Sequence, residues 1–583
     1  MFIKNEKGNY NIFIIAMIFL FPLVYNIQGI DFTDTGFALT YFQQIFNDPS
    51  SISYFFNIWL TNIIGGVWNS LFGWGGLLSF KIAAVLVSWL IAFFVYRIYS
   101  DFFINKTFLL LGILFGLVFY YSARISVIYY NNISMLFLSL AALFMIKGID
   151  KKSRLLLFCA GSAIALTAFA RISNILSLSF ILVILFDVII EKKRFSVFFI
   201  DCVFVFIGFL ASSVLVFIIM STLGHFNIYI DSLKELFLSP SKSDYTMAEI
   251  IVRFCNDWGR ALTGAILFFP ISVLAVFLKK KIKPLPYKVF SVVLLLAVFL
   301  FTWIMRPRIA SFILISIGII AITCILILTL AGNEHKNQKK LALLTILLLS
   351  VLSVGSNTGI TVGCYGIIFG FPLVFWFWNE MPPVFIDINA RKESETVIKT
   401  HVSFDYATKR KIIGFFICFY IVLSIPFVFR YIYRDSSQRW KMNTLVNHNM
   451  LRGVFTTPQR ASAIESLVLE LGKYVKENDY LLTYDAIPMT YFLTKTRPYL
   501  YNSWPSLYSP SELKKSIDKA QKEHDYLPVA VIAKVLFYQD SWPNSEAVSL
   551  DEKQMILSNF LEENKYQVIW ENNVFKILLP PKD

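Results

Sequence analysis

Basic residues are missing from one early stretch of this chain. None occurs between Asp31 and Lys81, although Lys and Arg together number 53 in 583 residues and the formal net charge is +15. That gap begins with DFTDTGF, a loop carrying Asp31 and Asp34 and no cation of its own. Charge is scarce throughout: Asp, Glu, Lys and Arg make up only 16% of the chain, which excludes an ordinary soluble domain. Cysteine is scarce as well. Cys159, Cys202, Cys324 and Cys418 fall inside apolar runs, and Cys255 and Cys364 at or near their ends, a distribution with no disulfide framework and no zinc spacing. Of the five histidines, His225 and His448 each stand alone in polar surroundings without a second ligand at helical spacing, and both read as surface residues. There is no internal repeat and no low-complexity tract.

What is abundant is apolar. Hydrophobic residues make up 57% of the chain and mean hydropathy is +0.63, more apolar surface than one core could bury. An α-helical polytopic membrane protein is the class that fits. Crossing about 30 Å of hydrocarbon takes about 20 apolar residues at helical rise. Runs of this kind lie near residues 11–30, 76–96, 107–121, 126–146, 155–170, 174–190, 196–221, 262–278, 286–304, 309–331, 341–355, 361–378 and 412–429, which predicts about thirteen transmembrane helices. The first run follows Lys4 and Lys7 as a signal peptide would, but no small-residue cleavage pattern comes after it, and it reads as a retained span.

Between the spans the charges sort by side. With a cytoplasmic N-terminus, the segments 1–10, 97–106, 147–154, 191–195, 279–288, 332–340 and 379–411 face inward and hold twenty-five Lys and Arg. The short outward loops hold only Arg124, Arg171, Arg306 and Arg308. Such a bias sets the N-terminus inside and the C-terminus outside, and it makes the basic pI a topology signal instead of a sign of nucleic acid. Arg430, Arg434, Arg439 and Lys441 follow the last span on the outer side, against the trend, as long translocated domains are free to do.

The chain then divides into a membrane module over residues 1–430 and a small C-terminal α/β extracytoplasmic domain over 431–583. In the latter, charged helical stretches such as PSELKKSIDKAQKEH alternate with short apolar runs such as VAVIAKVLF. Two outer segments are long enough for structure of their own. Residues 31–75, rich in aromatic and polar residues, predict helices lying in the membrane interface. Residues 222–261, of mixed charge with a Ser-Pro break, predict a mobile loop.

The polar features of the outer side are Asp31 and Asp34, Arg124, Arg171 in ARISN, Arg306 and Arg308 in RPR, and GSNTG at 355–359. Acid on one loop with arginine on several others suits a site that removes a proton from an acceptor and holds a phosphate leaving group. Each residue also has a plainer reading. Asp34 is a candidate general base or the N-cap of an interfacial helix. Asp31 marks the exit of the first span, assists Asp34, or joins it in a divalent-cation site, since hard cations take carboxylate oxygens. Arg124, Arg171, Arg306, Arg308 and Lys81 are candidate phosphate ligands, or they snorkel to lipid head groups.

The segment DTGFALTYFQQIF, together with the many spans and the external C-terminal domain, resembles the GT-C class of membrane glycosyltransferases, in particular the protein O-mannosyltransferase and aminoarabinose transferase group. There a first-loop motif of the form Asp-Glu-Gly/Thr-x-Tyr opens an interfacial helix; Asp34 matches the Asp, while Thr35 replaces the Glu. A second segment, DAIPMTYFLTKTRPYLYNSW at 485–504, resembles a stretch of the external domains of such enzymes. The resemblance implies an inverting transferase of the cell envelope, set in a bacterial inner membrane. It would move a sugar from a polyprenyl-phosphate carrier to a glycan, lipid or protein acceptor at the outer face, with no nucleic-acid partner. Asp34 would be the base, and Arg171, Arg306 and Arg308 would meet the phosphate. A transporter or flippase, a polymerase of lipid-linked saccharides, and a non-enzymatic scaffold remain as alternatives; Asp34 to Asn separates the first from an enzyme.

Overall fold

The computed structural model describes the chain except for residues 1–2, 123–124, 239–246, 282–308, 355–358, 382–383, 392–396, 405–413, 415–428, 437 and 582–583. The runs expected at 286–304 and 412–429 therefore lie outside the described residues, as do Arg124, Arg306 and Arg308 and most of GSNTG. Every other run falls on helix. Among the described residues, six helical segments are long and apolar enough to cross a membrane by length and composition: Pro49–Tyr99, Tyr130–Asp150, Ile172–Ile190, Phe195–Thr222, Phe312–Leu330 and Gly359–Asn379. Shorter apolar helices span Tyr10–Asn26, Lys106–Tyr121 and Arg154–Ala170.

Helix α1 (Ile3–Asn26) shows how these helices are built. Ile14, Ile18, Phe21 and Tyr25 recur at three- and four-residue steps and are buried, while Ile12, Phe13, Leu20 and Val24 stay exposed, an apolar outer face suited to lipid. The helix Phe195–Thr222 goes further, burying little beyond Cys202, Val205, Gly208, Val216 and Met220. Its crossing with Arg154–Ala170 depends on two glycines. A Cβ on Gly161 would lie 1.9 Å from the Val205 carbonyl oxygen, and one on Gly208 2.0 Å from that of Phe158. Small residues let the backbones approach where packing, not water exclusion, holds helices together.

Charge is segregated to the two ends of the bundle. At one end Lys147 meets Asp101 at 2.5 Å, Lys336 meets Glu191 at 3.0 Å, and the buried Lys340 bridges Asp150 at 2.7 Å and Asp187 at 3.3 Å. There too, Glu380 accepts from the amides of Ile104 and Asn105. Near this end the chain adds a hairpin, β1 (Val384–Arg391) paired antiparallel with β2 (Val397–Phe404). The opposite end carries the first loop, folded as helix α2 (Asp34–Gln44), a 3₁₀ stretch Pro49–Ile58 and helix α3 (Trp59–Phe72).

Two expectations are corrected at that second end. The segment read as a mobile loop is helical over Phe226–Leu238 and again from Met247. Tyr229 is buried against Phe169 and Phe217, and apolar positions at helical spacing outweigh the mixed charge. His225, expected at the surface, is buried: its ring lies against Phe56 and its Nδ1 accepts from the Trp59 indole at 3.1 Å.

The C-terminal domain holds a short antiparallel pair, β3 (Thr444–Leu445) with β4 (Phe455–Thr456), and a five-stranded sheet in the order β6-β5-β7-β9-β8, comprising β5 (Tyr480–Tyr484), β6 (Arg497–Pro498), β7 (Val529–Ala533), β8 (Gln567–Glu571) and β9 (Phe575–Leu579). β5 pairs in parallel with β6 and β7; β9 pairs antiparallel with β7 and β8. Alternation along the strands gives the sheet two buried faces. Leu482, Ala530, Ile532 and Leu578 pack under Leu513, Ile517, Leu557 and Phe560 of the domain's own helices. Leu481, Val531, Ala533, Phe575 and Ile577 face the other way, into the core shared with the membrane module. Phe32 of the first loop enters that shared core, its ring centroid 5.4 Å from Phe537, 5.5 Å from Trp542 and 6.0 Å from Phe575.

Candidate active site

The DFTDTGF segment folds around Asp31. Its Oδ1 accepts from the Thr33 amide at 2.9 Å and the Thr33 hydroxyl at 2.6 Å, and its Oδ2 accepts from the Thr35 amide at 2.8 Å. Asp31 thus satisfies the Thr35 amide in the first turn of α2 and the Thr33 amide just before it, the capping role that the sequence also offered to Asp34. It is 5% exposed. Burial, then the neighbouring Asp34, raise its carboxyl above the ordinary Asp value; Arg434 and the Thr33 and Thr35 bonds pull it back.

Relieved of capping, Asp34 turns its carboxylate to a cluster of polar side chains. Oδ2 accepts from the Tyr433 hydroxyl at 2.8 Å and lies 2.7 Å from Arg434 Nη1; Oδ1 accepts from the Tyr129 hydroxyl at 3.3 Å. The Asp34 and Arg434 side chains are 17% and 24% exposed, so a solute can reach both. Arg434 Nη1 also donates to Thr33 Oγ1 at 2.6 Å. Its guanidinium lies 5.2 Å from the Tyr433 ring centroid and 5.8 Å from that of Trp504.

The turn 431–436 holds this pair in place. Ile432 donates its amide to the Ser436 carbonyl, and Asp435 donates its amide to Ile432. Arg434 sits at φ +48°, in the left-handed region that an Arg side chain rarely adopts. The next residue supplies the anchor: Asp435 is fully buried, accepts from the Ile30 amide at 2.6 Å and from Thr456, and pairs with Arg460. Burial draws the Arg434 guanidinium down, but Asp34, then Tyr433 and Asp31, raise it by more, so it stays charged. Tyr433 is raised well above its ordinary value by burial, then by Asp34, and stays a proton donor.

Of the arginines expected to hold a phosphate, the described residues place Arg171. It is 7% exposed, donates through Nη1 and Nη2 to the carbonyls of Leu352 and Val354 at 3.2 and 3.3 Å, and lies 5.6 Å from the Tyr130 ring centroid. Tyr130 and Tyr129 stack at 4.1 Å. Asp34 therefore touches one member of a tyrosine pair and Arg171 the other. Lys81 is fully buried, with Nζ donating to the Gln28 carbonyl at 2.9 Å, beneath the Asp435 anchor. Among the described residues no three His, Cys, Asp or Glu side chains converge as a metal site. Both Asp31 oxygens are engaged, which leaves Asp34 as the accessible carboxylate of the pair.

Helix α2 is closed along its length by the 485–504 segment. The Met489 amide donates to the Phe32 carbonyl at 3.0 Å; Thr40 donates to the Pro488 carbonyl, Gln43 to that of Phe492 and Gln44 to that of Thr496. A cleft of about 510 Å³ opens at the far end of α2, lined by Gln43, Gln44, Asn47, Asn69, Trp74 and Asn478 among others, away from Asp34. Sequence reasoning missed Tyr129, Tyr433 and Arg434. The one signal for Arg434 was that it broke the charge rule just past the last span.

No family model and no curated protein sequence matches the chain. Among solved structures it is similar to the crystal structure of ArnT from Cupriavidus metallidurans bound to undecaprenyl phosphate. The two share 11% identity over 98% of each chain, with a TM-score of 0.40.

Proposed function

We propose that this protein is an inverting membrane glycosyltransferase that moves a sugar from a polyprenyl-phosphate donor to an acceptor hydroxyl at the outer face of the membrane. The observation that carries the reading is the setting of Asp34. One accessible carboxylate, spared from capping by Asp31, is held by Tyr129, Tyr433 and Arg434 where the bundle meets the C-terminal domain. A lipid-linked donor reaches that junction sideways from the bilayer, and a polar acceptor reaches it from water. The acceptor O–H gives its proton to Asp34 while its oxygen bonds to the anomeric carbon; the bond from that carbon to the phosphate oxygen breaks, and the phosphate leaves with the electron pair. A single displacement inverts the anomeric centre. Arg171 supplies positive charge beside Tyr130, and the docked C-terminal domain limits water and hence donor hydrolysis.

A carrier for lipid-linked saccharides would be expected to place charge near the middle of broken helices, whereas the described ion pairs lie toward the bundle ends. The test is full-length protein in lipid nanodiscs, given a panel of undecaprenyl-phosphate sugars and envelope acceptors. Transfer by the wild type should fall about 10²- to 10⁴-fold in Asp34→Asn. Equal transfer by the two proteins rejects the base, and flipping without transfer by both rejects the enzyme.

A further inference from the structure

We propose that Arg434 is the residue that receives the donor phosphate, and that its transfer from Asp34 to that phosphate is what frees the base. This rests on the glycosyltransferase reading and adds to it a residue from the far end of the chain and an order of events.

Among the described residues, Arg434 is the cation in contact with Asp34. Its two polar contacts there, to Asp34 and to Thr33, both run through Nη1, so the other arm of the planar fork is unspent. A guanidinium with one arm open is suited to a phosphate oxygen, which it binds through parallel N–H bonds. Arg171 is differently placed: it is more deeply buried, and both Nη atoms are already given to backbone carbonyls. The base of the Arg434 side chain is fixed by a left-handed turn pinned through buried Asp435, while its tip is 24% exposed beside Tyr433 and Trp504. A rigid root with a reachable tip lets the guanidinium exchange one anion for another without moving the backbone.

The exchange has a chemical consequence. While Arg434 is paired with Asp34, its Nη1 holds Oδ2, one of the two oxygens that could take the proton of an acceptor hydroxyl. When an anionic donor takes the guanidinium, Asp34 keeps the Tyr129 and Tyr433 bonds while Oδ2 is released from Arg434, so an acceptor hydroxyl gains it only with donor in place. As the sugar leaves, the donor's singly charged phosphodiester becomes a monoester carrying additional charge. Arg434 then binds the leaving group more strongly than the bound donor, the condition for catalysis.

Undecaprenyl phosphate is the probe, titrated into full-length protein in nanodiscs and read by tryptophan fluorescence, since Trp504 adjoins the guanidinium. Uncharged polyprenol reports the contribution of the lipid tail. Arg434→Ala is expected to weaken undecaprenyl phosphate binding about tenfold or more and leave polyprenol binding unchanged, with Arg434→Lys intermediate. Asp34→Asn is expected to bind undecaprenyl phosphate more tightly, about threefold or more, because the carboxylate no longer competes for Arg434. A purely structural Arg434 would not produce that tightening. Unchanged or weaker binding in Asp34→Asn overturns the exchange, as does an Arg434→Ala affinity within twofold of wild type. Should Arg434→Ala not fold, Arg434→Lys and Asp34→Asn decide. Wild type that prefers neither lipid removes the donor assignment and this inference together. The expected binding pattern without transfer activity removes the transferase reading and leaves the phosphate site standing.

Discussion

Gly36 and Met489 meet backbone to backbone: a Cβ on Gly36 would lie 2.1 Å from the Met489 amide nitrogen, the same nitrogen that donates to Phe32. Helix α2 and the C-terminal domain are thereby joined within one turn of Asp34. Gly36→Ala should push them apart and cost about 1–3 kcal/mol, as overpacking of a tight contact does. A melting temperature within a degree of wild type would show that the contact gives way without strain.

Asp31 and Asp34 should separate by function although they lie three residues apart. Asp31→Ala removes acceptors from the Thr33 and Thr35 amides, a loss of about 0.5–2 kcal/mol for a capping residue. Any transfer activity should drop less than in Asp34→Asn. If Asp31→Ala is as inactive as Asp34→Asn yet melts normally, the two roles have been assigned the wrong way round.

Arg460→Leu should make stability depend on pH. Asp435 is raised above 3.8 by burial, with Arg460 pulling it back, so loss of Arg460 raises it further. A carboxyl whose folded value exceeds its unfolded one contributes stability below the unfolded value and loses it as pH rises through the folded value. The variant should therefore be about 3–5 kcal/mol less stable than wild type near pH 7.5 and recover part of the difference toward pH 5. Melting curves at the two pH values decide it; an equal deficit at both would clear Asp435.

Lys340→Met tests the opposite end of the bundle. Lys340 bridges Asp150 and Asp187, so its removal leaves buried acid short of charge and should cost about 3–5 kcal/mol. Undecaprenyl phosphate affinity should be unchanged in the folded fraction. A matching loss of affinity would mean that the two ends are coupled through the helices.

The bundle was legible because lipid leaves a chain few choices: backbone polar groups must pair within the segment, so apolar runs of sufficient length become helices. β7 was legible for a similar reason, since VAVIA is buried on both faces and reads as a continuous apolar run. The helix at 226–238 was misread because its charged residues and the Ser-Pro break outweighed Tyr229 and its neighbours. Asp34 could be found from its motif, but its freedom from capping could not, since that depends on which backbone amides Asp31 reaches. Tyr433 and Arg434 were beyond reach for another reason. They lie about 400 residues from Asp34, and the contact is decided by how the turn 431–436 is anchored, which no local pattern records.

That separation along the chain bears on how the protein is made. Ribosomes deliver Asp34 first and Tyr433, Arg434 and Met489 only after the spans between them. A nascent polypeptide halted anywhere before those residues would carry its carboxylate without the hydroxyl and guanidinium that complete its surroundings, so the centre is assembled only after the intervening spans have been made.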